Sequence, residues 1–175
     1  MGALLDLLRG LLGRASATPP GVAGPGAPPP MARSAADGGR TAYPGDFRGV
    51  PEMTYAARPD GRPDPGEIVW TWVPFEEDHT QGKDRPVLLI GRDGRWLLGL
   101  QLTSKDHDRD AEQEARAGRT WTDIGSGGWD RQGRPSEVRT NRVIRVDAGA
   151  VRREGAILSR EVFEQVAAEV RRHAR

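Results

Sequence analysis

The sequence predicts a mainly β domain, a small and strongly bent antiparallel barrel with accessory helices. Short β-rich runs separated by turn residues follow one another after Pro65. Residues 85–91 are almost continuously apolar, as expected for a strand that is buried on both faces. One amphipathic helix is expected at the end of the chain, where Ser159 can cap the apolar stripe that Val162 and Phe163 begin.

Five runs have the β-branched and aromatic content or the alternation that is typical of strands: residues 67–73, 85–91, 95–102, 120–124 and 138–146. Pro74 ends the first run. The pair Asp93-Gly94 supplies a tight turn between the second and third runs, so the first three strands are expected to form a meander. The last run predicts a single strand with one basic face.

Composition divides the chain into three parts. Residues 1–14 space their leucines as one face of a short amphipathic leader helix, which either contacts a membrane surface or a partner or is functionally neutral. Residues 15–65 are rich in Pro, Gly and Ala and have too little apolar surface to offset the entropy of ordering, so a disordered linker is expected. Residues 66–175 hold the predicted barrel.

The chain has no cysteine, which excludes disulfides, cysteine nucleophiles and thiolate metal sites and fits a reducing cytoplasm. No apolar run approaches transmembrane length, so no membrane-spanning segment is expected, and for the leader a neutral role is preferred to membrane contact. The net charge is +1, but residues 66–130 carry 8 basic and 13 acidic residues, a net charge of −5, and residues 131–175 carry 11 and 6, a net charge of +5. The basic third fits RNA or a polyanionic partner, or internal ion pairs.

Two neighbouring strands place groups that bind phosphate at their adjoining ends. Arg85 opens the second predicted strand, and Thr103 and Ser104 close the third. Because antiparallel neighbours joined by a tight turn lie side by side, these side chains can converge on one anion. The planar fork of Arg85 suits two phosphate oxygens, and Thr103 can donate a third hydrogen bond. The alternative for Arg85 is an ion pair with Asp84 or Glu67.

Other side chains are secondary candidates. His79 and His107 lie in polar loops near the two strand ends, and imidazole is a common acid–base group in ribonucleases, although exposed loop histidines are common. Lys105 follows Ser104 and adds a positive charge. Trp129 can stack on an unpaired base or pack on the barrel as a lid. The acidic run around Asp108 has no recognised ligand spacing, so neither a metal nor a cofactor is expected.

The order of these motifs resembles the PemK/MazF family of toxin endoribonucleases from type II toxin–antitoxin systems. The resemblance covers roughly residues 66–170 and rests on five pieces: Gly66-Glu67-Ile68-Val69-Trp70, Arg85-Pro86-Val87-Leu88-Leu89, Leu102-Thr103-Ser104, Ser136-Glu137-Val138-Arg139-Thr140 and Ile157-Leu158-Ser159. It implies an SH3-like barrel of the PemK/MazF type, which CcdB-type toxins share, with a C-terminal helix.

The resemblance also implies a function. Family members are usually homodimers that cut single-stranded mRNA without a metal, inhibit growth and are neutralised by a cognate antitoxin; DNA is not a substrate. By resemblance Arg85 and Thr103 are the catalytic pair, with Ser104 and Ser136 beside them. The acidic segment 76–84 and the long loop 105–119 depart from the family pattern, so substrate affinity is less certain than the fold.

Two alternatives stay open. The first is a catalytically silent SH3-like module that binds a protein or RNA. The second is an RNA-binding domain that uses Arg139, Arg142 and Arg145 of the predicted basic strand without cleaving its ligand.

Overall fold

The computed structural model describes residues 42–104 and 118–174, with the backbone alone for residues 153–155. The predicted leader, residues 15–41 of the predicted linker, and the candidates Lys105 and His107 lie outside the described residues, as does the acidic run around Asp108. The assignments of residues 1–14 and 15–41 therefore stay predictions.

The described part of the chain contains seven strands and one α-helix: β1 Glu67–Pro74, β2 Gly82–Asp93, β3 Trp96–Thr103, β4 Trp121–Gly125, β5 Ser136–Arg139, β6 Ile144–Val146, β7 Arg153–Ile157 and α1 Arg160–His173. The strands form one antiparallel sheet in the order β4-β5-β3-β2-β1-β7, and β6 also pairs with β3. The sheet curls into a half-barrel. The predicted mainly β fold with a C-terminal helix is confirmed.

The alternation of side chains along the strands builds two hydrophobic cores, one on each face of the sheet. The first face carries a set of buried residues that α1 covers: Ile68, Leu88, Ile90, Leu98, Leu100, Leu102 and Val138. The second face carries a smaller set: Val69, Val73, Val87, Leu89, Leu97, Ile144 and Val146. Because both faces of β2 are buried along residues 87–90, that run reads as continuously apolar in the sequence.

Helix α1 begins and ends as the sequence predicts. The Ser159 side chain accepts a hydrogen bond from the Val162 backbone N–H at 3.3 Å, which satisfies one of the free donors of the first turn. Phe163, Val166 and Val170 form the buried stripe. Among the described residues, no helix is long and apolar enough to span a lipid bilayer.

The prediction of one strand over residues 138–146 is wrong. The chain forms β5, turns at residues 140–142 and resumes as β6. The two pieces pair with different parts of β3, because Val138 lies opposite Leu102 and Val146 lies opposite Leu97. Alternation continues across the break, so the pattern alone does not reveal it. Strand β7 is not predicted by the sequence pattern.

Residues 42–65, which composition assigned to a linker, lie against the sheet, and we call them the strap. The Phe47 N–H donates to Val143 O at 2.8 Å, and the Thr54 N–H donates to Ile90 O at 3.0 Å. The strap residues Phe47, Met53 and Tyr55 pack on the first core. The average composition of residues 15–65 does not reveal these three apolar residues, because the residues between them are mostly polar or small.

Candidate active site

Arg85 and Thr103 lie on the same face of the sheet. The register pairs Thr71 of β1 with Arg85 of β2, and Val87 of β2 with Gln101 of β3. Continuing that antiparallel register by two residues places Arg85 opposite Thr103, and residues two apart on a strand share a face. Both side chains therefore belong to the second face, and both are half-buried.

Arg85 is half-buried, and the two carboxylates expected to pair with it bind other groups. Burial lowers the pKa of Arg85, because desolvation disfavours the charged form. Asp84 is bonded to Arg152, and the Glu67 carboxylate accepts the backbone N–H groups of Arg58 at 3.0 Å and Asp64 at 3.3 Å. Within residues 42–104 and 118–174, the guanidinium has no ion pair and no hydrogen bond. A partly desolvated cation with free donors favours an anionic ligand.

Strand pairing extends this site across the sheet. Thr103 lies opposite Glu137 of β5, and Glu137 lies opposite Asp123 of β4. We call this set the polar row: Thr71, Arg85, Thr103, Glu137 and Asp123. The row next to it contains Gln101 and the pair Arg139–Trp121. Trp121 is half-buried on the second face, so an aromatic ring lies one row from Thr103.

The three arginines of the predicted basic strand are paired with carboxylates. Arg139 Nη1 donates to Glu76 at 2.9 Å, Arg142 Nε donates to Asp46 at 2.8 Å, and Arg145 Nε donates to Asp93 at 2.9 Å: Arg139 and Arg142 are buried and Arg145 is half-buried. Much of the positive charge of the C-terminal third is thus paired within the fold, and a free basic RNA-binding face is not formed by these side chains.

Trp129 and Ser136 face away from Arg85. Ser136 shares a strand face with Val138 of the first core, and its hydroxyl accepts a hydrogen bond from Trp129 Nε1 at 3.0 Å. Trp129 is 5 % exposed, and its ring covers Gly127 so closely that a Cβ there would lie 2.1 Å from it. The expectation of base stacking by Trp129 is wrong, because the ring is the lid that the alternative predicted. Ser136 is likewise too buried to contact a ligand.

His79 contacts the strap. Its exposed ring meets the Tyr43 ring edge-on, with centroids 5.0 Å apart and an interplanar angle of 82°. The Tyr43 hydroxyl in turn donates to Asp46 Oδ1 at 2.5 Å. Burial raises the pKa of Tyr43, and the neighbouring Asp46 raises it further. The described contacts therefore do not bring His79 to Arg85; Ser104 is half-buried at the end of β3.

Residues 64–174 match the family model described as PemK-like, MazF-like toxin of type II toxin–antitoxin system. The chain belongs to this toxin family. The matched range contains the whole polar row and leaves out nearly all of the strap. Among solved structures, the chain is similar to MazE–MazF of Deinococcus radiodurans, with 18 % identity and a TM-score of 0.43 over 63 % of this chain and 94 % of that chain. No curated protein matches the sequence.

In this PemK-like, MazF-like toxin, sequence reasoning missed Glu137 as a candidate site residue. The signal that identifies it is the pairing of β5 with the end of β3, which the sequence does not display. In the described segments 42–104 and 118–174, no three His, Asp or Glu side chains lie close enough together to bind a metal ion.

Proposed function

We propose that this family member is an endoribonuclease that cleaves single-stranded mRNA through attack of a ribose 2′-hydroxyl on the adjacent phosphorus. The products are a 2′,3′-cyclic phosphate and a 5′-hydroxyl end, and no metal takes part. The observation that carries the proposal is the placement of Arg85, half-buried and without a protein partner among the described residues, on the same face as Thr103. Both lie within the range that the family model matches.

The chemistry follows from the charge that develops during attack. Addition of the 2′-oxygen puts negative charge on the phosphoryl oxygens, so donors fixed at that point lower the barrier. The Arg85 fork donates two hydrogen bonds to these oxygens and the Thr103 hydroxyl donates a third. Because Arg85 is partly desolvated, its attraction for the phosphate is stronger than that of a hydrated surface arginine. DNA lacks the nucleophile and is not cleaved.

The second face also offers a surface for the bases. Trp121 lies one row from Thr103 and is half-buried, so part of its ring can stack on an unpaired base. The negative charges of Glu137 and Asp123 in the polar row repel phosphates. Binding therefore depends on stacking and on Arg85 more than on a broad basic surface, and its salt dependence is shallow.

Membership of a type II toxin–antitoxin family supports a cognate antitoxin that neutralises the toxin in the cytoplasm, and a homodimer as the assembly. A gene for a small acidic protein beside the toxin gene identifies the candidate antitoxin. Light scattering of the purified toxin gives its oligomeric state, and co-purification with that acidic protein, together with lost RNA cleavage, tests the neutralisation.

The deciding experiment incubates purified protein and single-stranded RNA with EDTA and analyses the product ends. Wild-type protein gives cyclic phosphate ends, whereas Arg85→Ala and Thr103→Ala lose at least a hundredfold in rate, about the effect of one lost transition-state donor. Arg92→Ala is the matched control, because Arg92 is an exposed arginine on the same strand that pairs with Asp64. RNA that stays intact with wild-type protein rejects the proposal, and binding without cleavage selects the silent module instead.

A further inference from the structure

The proposed reaction needs a group that accepts the proton of the 2′-hydroxyl. An arginine guanidinium is protonated at every pH of interest, and a threonine hydroxyl binds a proton far too weakly. The pair Arg85 and Thr103 can therefore stabilise charge, but it cannot act as the general base. A carboxylate at the same end of the second face has the required chemistry.

Glu137 occupies that position. It lies opposite Thr103 in the β3–β5 ladder, and directly opposed residues have Cβ atoms about 4.5–5.5 Å apart. The β2–β3 ladder ends with Val87 opposite Gln101, and the same register carried two residues further brings Thr103 beside Arg85. A phosphate held between Arg85 and Thr103 thus has the Glu137 carboxylate on its far side, within the length of one ribose.

The backbone around Glu137 is fixed by its neighbours. Ser136 and Val138 on either side are buried in the first face, and Ser136 is bonded to Trp129. This anchoring directs the half-buried Glu137 side chain to the second face. A general base needs such a position, because proton transfer requires hydrogen-bond distance to the nucleophile.

We propose that Glu137 is the general base of the proposed RNA cleavage; the inference rests on that proposed function. Glu137 takes the proton as the 2′-O–H bond breaks, and the electron pair forms the bond from the 2′-oxygen to phosphorus. The bond from phosphorus to the 5′-oxygen then breaks, and the departing oxygen takes a proton from water; the hydroxide that remains takes the proton from Glu137 and restores the carboxylate. Among the described residues, the strand register brings charged groups beside Glu137 from three strands: Asp123 from β4, Arg139 on β5 itself and, one strand beyond Thr103, Arg85 from β2.

Glu161 provides a matched control. It is an exposed glutamate in the first turn of α1, and α1 covers the first face of the sheet, away from Thr103. Glu137→Gln and Glu161→Gln make the same replacement of a carboxylate by an amide of nearly the same shape. Glu137→Gln removes a negative charge near the RNA phosphates, so it lowers KM, and it alone removes the proton acceptor.

The test measures kcat and KM of the full chain on a short single-stranded RNA across pH 4–9, with thermal melts of each variant. We expect Glu137→Gln to lower kcat by about 10²–10⁴-fold without raising KM, and to remove the acid limb of the pH profile from the residual activity. Glu161→Gln keeps kcat within about threefold of wild type. Glu137→Asp, which keeps the carboxylate but shortens its reach, recovers part of the rate and keeps the acid limb.

Several outcomes overturn the inference. Wild-type cleavage together with a Glu137→Gln rate near wild type removes Glu137 as base and leaves the proposed function standing. An equal loss of kcat in Glu161→Gln shows that the loss is not specific to position 137 and overturns the role given to Glu137. Loss of thermal stability in Glu137→Gln, with Glu137→Asp folded and lacking the acid limb, indicates a structural role. RNA that stays intact with wild-type protein overturns both proposals.

Discussion

The guanidinium of Arg142 binds the carboxylate of Asp46 through two hydrogen bonds, Nε–Oδ2 at 2.8 Å and Nη2–Oδ1 at 3.2 Å. Arg142 is 6 % exposed and also donates to the Pro74 carbonyl at 3.0 Å. Asp46 lies in the strap and Pro74 ends β1, so one side chain joins the strap, the sheet and the turn between β5 and β6. The strap thus supplies the carboxylate that neutralises the buried Arg142.

Replacing Asp46 by asparagine should destabilise the protein in a pH-dependent way. Burial alone would raise the pKa of Asp46, but hydrogen bonds from Arg142 and Tyr43 outweigh it and hold the pKa below its usual range. A lowered pKa in the folded state stabilises the protein above the unfolded value, near pH 4, and this contribution is lost as pH falls through the folded value. At pH 7 we expect Asp46→Asn to cost about 2–3 kcal/mol, since it leaves Arg142 buried without its anion.

Urea unfolding at pH 7 and at pH 3 measures the effect. The difference in unfolding free energy between wild type and Asp46→Asn should be smaller at pH 3 than at pH 7. Glu52→Gln is the control, because Glu52 is an exposed strap residue that undergoes the same change of charge. A difference that stays constant with pH contradicts the role given to the Asp46 carboxylate.

The elements predicted correctly from the sequence are those whose buried positions depend only on neighbouring residues in the chain. The meander of β1, β2 and β3 and the cap, stripe and end of α1 follow from alternation, turn chemistry and helix spacing, which neighbouring residues determine. The break between β5 and β6 and the docking of the strap depend on contacts between distant residues, such as Phe47 with Val143. No local pattern contains that information.

The same distinction separates the parts of the site. Arg85 and Thr103 belong to strands joined by one tight turn, so their common face is readable from the sequence. In the sequence, Trp129 and Trp121 look equally available for stacking on a base. The Ser136 hydroxyl and the first core bury Trp129, whereas the pairing of β4 with β5 leaves Trp121 on the second face. Only the tertiary structure distinguishes the buried ring of Trp129 from the half-buried ring of Trp121.

Ser136→Ala should reduce stability and leave RNA cleavage unchanged. The substitution leaves the buried Trp129 Nε1–H without its acceptor, which costs about 1–3 kcal/mol. Since Ser136 faces the first core, kcat should stay within twofold of wild type. Thr103→Ala should show the reverse, a normal midpoint of unfolding and lost cleavage. A Ser136→Ala protein that folds normally and loses cleavage returns Ser136 to the site.

Gly91→Ala should displace the strap from the sheet. A Cβ at Gly91 would lie 2.1 Å from the backbone carbonyl oxygen of Glu52, which cannot move without the strap. We expect a loss of about 1–3 kcal/mol and faster proteolysis within residues 42–65. At Gly149 the nearest atom to an added Cβ is Asp147 Oδ1 at 3.4 Å, an ordinary contact, so Gly149→Ala is the control. Unchanged proteolysis in Gly91→Ala shows that the strap does not depend on this close approach.

Trp121→Ala should weaken RNA binding, whereas Trp121→Phe should retain most of it. A base stacked on an aromatic ring contributes about 1–3 kcal/mol, and phenylalanine keeps a stacking surface. Trp96→Ala is the control, because Trp96 begins β3 at the end away from Thr103 and its ring lies against Arg95. Fluorescence anisotropy with a labelled single-stranded RNA, using the Arg85→Ala background to prevent cleavage, gives the dissociation constants. Equal affinities of Trp121→Ala and Trp96→Ala would mean that RNA does not cross the second face at β4, and the path of the substrate beside Thr103 would then have to run toward β1.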